Sequence, residues 1–144
     1  MFAFFNDSLF PKIYVTFNQN INPNSWTQFT TTWRNFDLKK QPYTLLFDLA
    51  GLGLPHLTYA IKISYFIESL KKRKKLLNNV YLTKSIIICN NTYQRKLLEW
   101  VFFIQSPVAP VYIVKTTEEA EQLYNNLSFN KHFYLSTVTA YFPK

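Results

Sequence analysis

Three short stretches constrain this chain most: YTLLFDL at 43–49, SIIIC at 85–89 and VAPVYIV at 108–114. Each is apolar with little alternation. A strand with one face in water alternates apolar and polar residues, so a continuous apolar run of strand length needs cover on both faces. Pro110 points to a strand start or an edge position for the third run. Around these runs the apolar residues recur instead at spacings of three and four, the period of a helix with one buried face.

Trp26, Phe29, Trp33 and Phe36 predict a helix over roughly 24–36, capped by Asn22 or Asn24. A second helix is expected over about 56–75, with Pro55 suited to its first turn and Leu57, Ala60, Ile61, Ser64, Phe66 or Tyr65, Ile67 and Leu70 among its apolar positions. Leu97, Leu98, Val101 and Phe102 mark the inner face of a third, over 92–104, with Asn91 or Thr92 as its cap. A fourth starts at Thr116 or Thr117: Thr116 and Glu119 have capping-box spacing, acidic residues crowd the first turn, and Ala120, Leu123, Tyr124 and Leu127 follow. KIYVTF at 12–17 is β-prone, and residues 2–5 offer an additional edge strand. Alternation of this kind predicts an α/β fold with a mostly parallel four- to five-stranded sheet. At 144 residues, with no internal repeat, the chain reads as one domain. Its core is 12–127, and an aromatic extension, 128–144, is able to pack on the body, pair at an edge or seat a partner.

Sixteen Lys and Arg against eight Asp and Glu give a net charge of +8. That balance favours an anionic partner: an acidic protein face, an anionic membrane or nucleic acid. Five of the cations form one run, Lys71, Lys72, Arg73, Lys74 and Lys75. At a helix C-terminus such a run is favourable and solvated, and it is also the strongest local candidate for an anionic contact. Cys89 is the one cysteine and ends an apolar run, so it reads as a buried, reduced thiol in a reducing compartment. No signal peptide is read at the N-terminus and no apolar run approaches the length of a membrane span, so a cytoplasmic location is expected. Trp26, Trp33 and Trp100 each fall in an expected helix and are expected to pack in the core. An exposed aromatic patch, such as Tyr65 with Phe66, would instead point to a protein partner.

The succession KIYVTF, aromatic helix, YTLLFDLAGLG, helix, SIIICN, helix, VYIV and TTEEAEQL resembles the STAS, or anti-sigma-factor antagonist, domain over residues 12–127. The resemblance implies a protein-interaction module. In some members of that family a serine in an Asp-Ser-Ser-Gly-like motif, at the start of the helix after the second long strand, is phosphorylated. Here Asp48 matches the strand-end aspartate. His56, Leu57, Thr58 and Tyr59 occupy the motif, and Thr58 alone keeps a hydroxyl. The family's serine switch is therefore not preserved. The alternation of elements also resembles, less closely, the lipid-binding CRAL-TRIO domain, although 144 residues is short for a full lipid cavity.

Chemistry-bearing residues are sparse. AGLG, with Gly51 and Gly53, lacks the Lys-Ser or Lys-Thr of a phosphate loop, and no G-x-S-x-G elbow occurs. His56, Cys89 and His132 have no ligand spacing, so neither a metal nor a cofactor is expected. The candidate binding residues are Asp48, Gly51, Gly53, His56 and Thr58 in the loop beyond the second long strand, where open α/β sheets bind ligands, together with Lys71 to Lys75. The expected function is non-enzymatic binding of a protein, with anionic lipid or nucleic acid as the alternative and a second copy of the chain also open.

Overall fold

In the computed structural model, which describes residues 2–18, 21–53, 57–129 and 138–144, the chain forms a six-stranded sheet in sequential order. The strands are β1 (Ala3–Leu9), β2 (Lys12–Phe17), β3 (Tyr43–Asp48), β4 (Leu82–Ile88), β5 (Val111–Val114) and β6 (Thr139–Tyr141). The helices are α1 (Pro23–Phe36), α2 (Leu57–Leu77), α3 (Thr92–Ile104) and α4 (Thr117–Phe129). Strands β2 to β5 are parallel, and β1 and β6 flank them antiparallel. The fold is thus mixed α/β with alternating helices, and its six strands exceed the expected four or five. The sheet extends past residues 12–127 at both ends. Residues 2–5 contribute to a longer edge strand than expected, and the aromatic extension supplies β6. Pro55, His56, His132 and the side chain of Leu127 lie outside the described residues.

The expected double cover of the central strands is present and uneven. On one face, Ile13, Val15, Tyr43, Leu45, Phe47, Ile87, Val111 and Ile113 pack beneath α1, α2 and α3. In register, Ile13 pairs with Leu45, and Phe47 with Ile87, so these side chains form continuous rows. Sequential parallel strands joined by crossovers of one hand place their helices on one side, which is what α1 to α3 do. On the other face Leu46, Ile86, Ile88 and Val114 meet Ala120 and Leu123 of α4. Beside α4 the cover is amphipathic: Lys12 pairs with Glu121, and Lys12 and Lys84 lie 4.8 and 5.3 Å from the Tyr124 ring centroid.

Local chemistry explains the helix starts. Asn22 accepts from the Ser25 N–H while the Ser25 hydroxyl accepts from the Asn22 N–H, a reciprocal cap. Asn91 accepts from the Gln94 N–H, and Thr116 Oγ1 from the Glu119 N–H. Strand β5 starts only at Val111, because Pro110 has no N–H to give the ladder; its carbonyl accepts from the Ser85 N–H instead.

The aromatic residues of α1 interlock with the sheet. Phe29 lies 5.7 Å from Phe5, and Trp33 lies 5.4 Å from Phe47 and 5.0 Å from Phe66. Packing is incomplete beneath the three helices, where an apolar cavity of about 170 Å³ remains.

At the amino end of the sheet, Asp37 ties three elements together. It lies in a short 3-10 turn after α1, and its Oδ1 accepts from the Tyr43 hydroxyl and the Tyr81 N–H, both at 2.9 Å. Burial pushes its carboxyl above the usual carboxylate range, although both hydrogen bonds and the nearby Arg73 charge act the other way. A raised folded-state pKa means that the folded state holds a proton more tightly than the unfolded one. Stability should therefore fall as pH rises from 3.8 through the raised value. Asp37→Asn keeps an acceptor for both donors and should remove this component of the pH dependence. Asp37→Ala strands both donors and should cost about 1–3 kcal/mol. Chemical denaturation across pH tests this, and equal losses for the two variants would contradict it.

Candidate functional site

Two surfaces stand out, and a change of helix side produces the first. The helix after β4 packs on one face of the sheet and the helix after β5 on the other, so the two connections part at the carboxyl ends of these strands. Open α/β sheets bind ligands in the crevice that such a parting creates. Here the crevice has a volume of about 580 Å³, and Asp48, Asn90, Asn91, Lys115 and Thr116 are among its polar walls. The starts of α3 and α4 both open onto it. It presents charges of both signs, which suits recognition by several hydrogen bonds.

Of the expected loop residues, Asp48 and Gly53 reach this crevice. Asp48 Oδ1 accepts the Ala50 N–H at 3.0 Å and shapes the turn after β3. Gly53 has a φ of 73°, a conformation that suits glycine, and its carbonyl accepts from the side chain of Gln94. Gly51 is exposed in the turn. It serves packing: a Cβ there would lie 2.1 Å from the Phe17 carbonyl oxygen. Thr58 is exposed in the first turn of α2. His56 lies outside the described residues. Among the described residues no group of three or more His, Cys, Asp or Glu side chains is placed to hold a metal.

The cationic run lies at the opposite end of the sheet, because α2 runs antiparallel to the strands. Much of it is engaged within the fold. Lys71 Nζ donates to Gln105 Oε1 and Ser106 Oγ at 2.7 and 2.6 Å, and Lys74 Nζ to the Val108 carbonyl at 3.4 Å. Lys72 pairs with Glu68 at 3.1 Å, an exposed contact of small energetic weight. Arg73 is half-buried and its charge acts on Asp37. Lys75 is exposed, as are Leu76 and Leu77 after it.

The second surface is the outer side of α2 and α3, which pack against each other through Ala60, Ile67 and Val101. Leu57, Ile61 and Tyr65 are exposed along α2, and Tyr93, Trp100, Phe103 and Ile104 along α3. Phe103 is 87% exposed and Tyr65 68%, whereas Phe66 is buried. Trp100 was expected in the core with Trp26 and Trp33. Trp33 is buried and Trp26 half-buried, but Trp100 is 37% exposed. The physical reason is crowding. The inner face of α3 is already occupied by Gln94, Leu97, Leu98 and Val101, so further apolar residues at 100, 103 and 104 face outward.

Gln94 did not stand out by residue type, although its 94/97/98/101 spacing places it in the inner stripe. It is a buried polar side chain whose Nε2 donates to the Leu49 and Gly53 carbonyls, tying the loop after β3 to the start of α3. Cys89 beside it is buried, and its thiol donates to the Asn91 carbonyl at 3.5 Å. Burial pushes that thiol above its usual range. Cys89 should therefore react with a disulfide reagent at pH 8 only as fast as the chain opens; rapid labelling of the folded protein would contradict this. Gly51→Ala should force the turn away from Phe17 and cost about 1–3 kcal/mol. A thermal melt unchanged by this substitution would contradict the close approach.

No protein-family model matches the chain, and no curated protein or solved structure matches it significantly.

Proposed function

We propose that this chain is a non-enzymatic protein-interaction module of STAS-like fold that docks an acidic partner through the outer side of α2 and α3. One observation carries the reading: besides Leu76 and Leu77 at the end of α2, seven large apolar side chains are exposed on two neighbouring helices. Scattered apolar residues are normal on a protein surface, but a clustered face rich in Trp, Tyr and Phe is the usual composition of a protein interface. Phe103 and Trp100 are the anchors expected to dominate binding. The cationic run supplies a charged end to the same surface, since Lys71 bonds to Gln105 immediately after α3. With a net charge of +8, this favours a partner of opposite sign and its rapid capture.

The STAS-like part of the proposal is supported by the order of elements: parallel strands in sequence, each followed by a helix, and an acidic-capped helix after β5. Recognition would run without the family's serine switch, because Leu57 occupies the key serine's position. A second copy of the chain could cover the same face, and sedimentation at increasing concentration separates that case from a different partner.

Retention of the partner from the protein's own cells on immobilised wild type, compared with a Trp100→Ala, Phe103→Ser double variant, tests the proposal. The variant should lose roughly tenfold or more in affinity while keeping its thermal midpoint. Lys72→Gln with Lys75→Gln should slow association and flatten its salt dependence. Undiminished binding by the apolar variant would contradict the proposal.

A second reading, an anionic membrane surface, is favoured by the exposed Leu76 and Leu77 directly after the cations. Salt-sensitive retention on phosphatidylserine vesicles, lost on neutralising 71–75, would support it; retention on RNA or DNA but not on vesicles would favour nucleic acid.

A further inference from the structure

We infer that the cavity between the sheet and the α1–α3 layer is a binding site for a short alkyl carboxylate, a fatty acid of about six to eight carbons. The site is separate from the proposed docking face, which lies on the outside of the same helices. A dry apolar cavity of about 150 Å³ is large enough to admit a six-carbon guest. The volume here is about 170 Å³.

Its shape favours a chain over a ring. The lining passes from Phe17 on β2 across Phe47 on β3 and Ile87 on β4 to Val111 on β5. Those are three inter-strand steps, or about 14 Å. Apart from its Trp and Tyr rings, Ser85 and Gln94 are the polar side chains of this wall, and the Gln94 amide N–H groups are already engaged by two carbonyls. Such a wall offers an ordered water few of the partners it needs, whereas it matches methylene groups well.

The rim supplies the complement to a carboxylate. Trp26 and Tyr59 both line the cavity and are both half-buried, with ring centroids 6.0 Å apart. Lys62 Nζ lies 5.0 Å from the Tyr59 ring centroid. Neither α1 nor α2 before Glu68 contains an acidic residue, so the Lys62 charge has no carboxylate on its own or the adjoining helix end to pair with. A ligand with its chain beneath α2 and its carboxylate at Lys62 satisfies both features.

The test uses the full chain carrying Trp100→Phe, so that indole fluorescence reports Trp26 and Trp33, which both line the cavity. The probe is 8-bromooctanoate, whose bromine quenches indole on contact. Quenching should saturate at one ligand per chain. Ala60→Leu, which extends a side chain into the cavity, should weaken binding roughly tenfold. Lys62→Gln leaves the interior unaltered and keeps the test informative if Ala60→Leu does not fold. It should weaken the carboxylate several-fold and leave 8-bromooctan-1-ol unaffected. Linear quenching without saturation would overturn the inference, as would equal losses of acid and alcohol in Lys62→Gln. Tighter binding of bromobenzene than of 8-bromooctanoate would replace the alkyl chain with a ring.

Discussion

The structure depends on burying β3 and β4 from both sides. Leu45 and Leu46 are successive residues of β3 that point to opposite faces, and both are fully buried. Two faces of cover require helices on two sides, and the described residues form four α-helices to divide. Three of them follow sequential parallel crossovers and so fall together on one face; only α4, after β5, reaches the other. That division sets the position of the crevice at the carboxyl ends. It also leaves the α1–α3 layer thick, aromatic and imperfectly filled, while the α4 side is thinner and completed by lysine stems and tyrosine rings.

The two ends of the sheet are built differently. At the amino end, Asp37 binds the end of α1 to β3 and to the residue leading into β4, and the lysines of α2 reach across to the segment between α3 and β5. Those bonds make much of the cationic run part of the framework. At the carboxyl end, Gln94 holds the loop after β3 by its carbonyls, and polar side chains and helix starts face the crevice. The amino end is therefore closed by internal hydrogen bonds, and the carboxyl end is shaped to receive others.

Much of this was legible in the sequence, for identifiable reasons. Near-continuous apolar runs at 43–49 and 85–89 announced strands covered on both faces, and helix period with Asn and Thr caps located α1, α3 and α4 closely. The flanking strands were harder. β6 is three residues long and lies far in sequence from β5, so its pairing is a tertiary fact. β1 continues past the expected residues 2–5 through Asn6, Asp7 and Ser8, because an edge strand tolerates exposed polar residues. The candidate site was legible only in part. Asp48 and Gly53 were found from their strand-end position, but Lys115 and Asn90 join them only through the parting of the helices. Gln94 acts through burial, which its residue type does not announce. The outward α3 residues were hidden by composition: in the stretch LLEWVFFI the apolar residues crowd one another, and Trp100 was expected in the core with its neighbours although one helix face cannot hold them all.

On the proposed function, α2 and α3 meet a partner through their outer side. Position-resolved photo-crosslinking in the protein's own cells tests it most directly. A photoreactive phenylalanine analogue would replace Ile61 or Phe103 on the proposed face, Asn90 at the crevice, or Gln122 on α4. Positions 61 and 103 should yield one shared crosslinked protein, and position 122 none. Crosslinks confined to 90 or 122, with positions 61 and 103 silent, would contradict it.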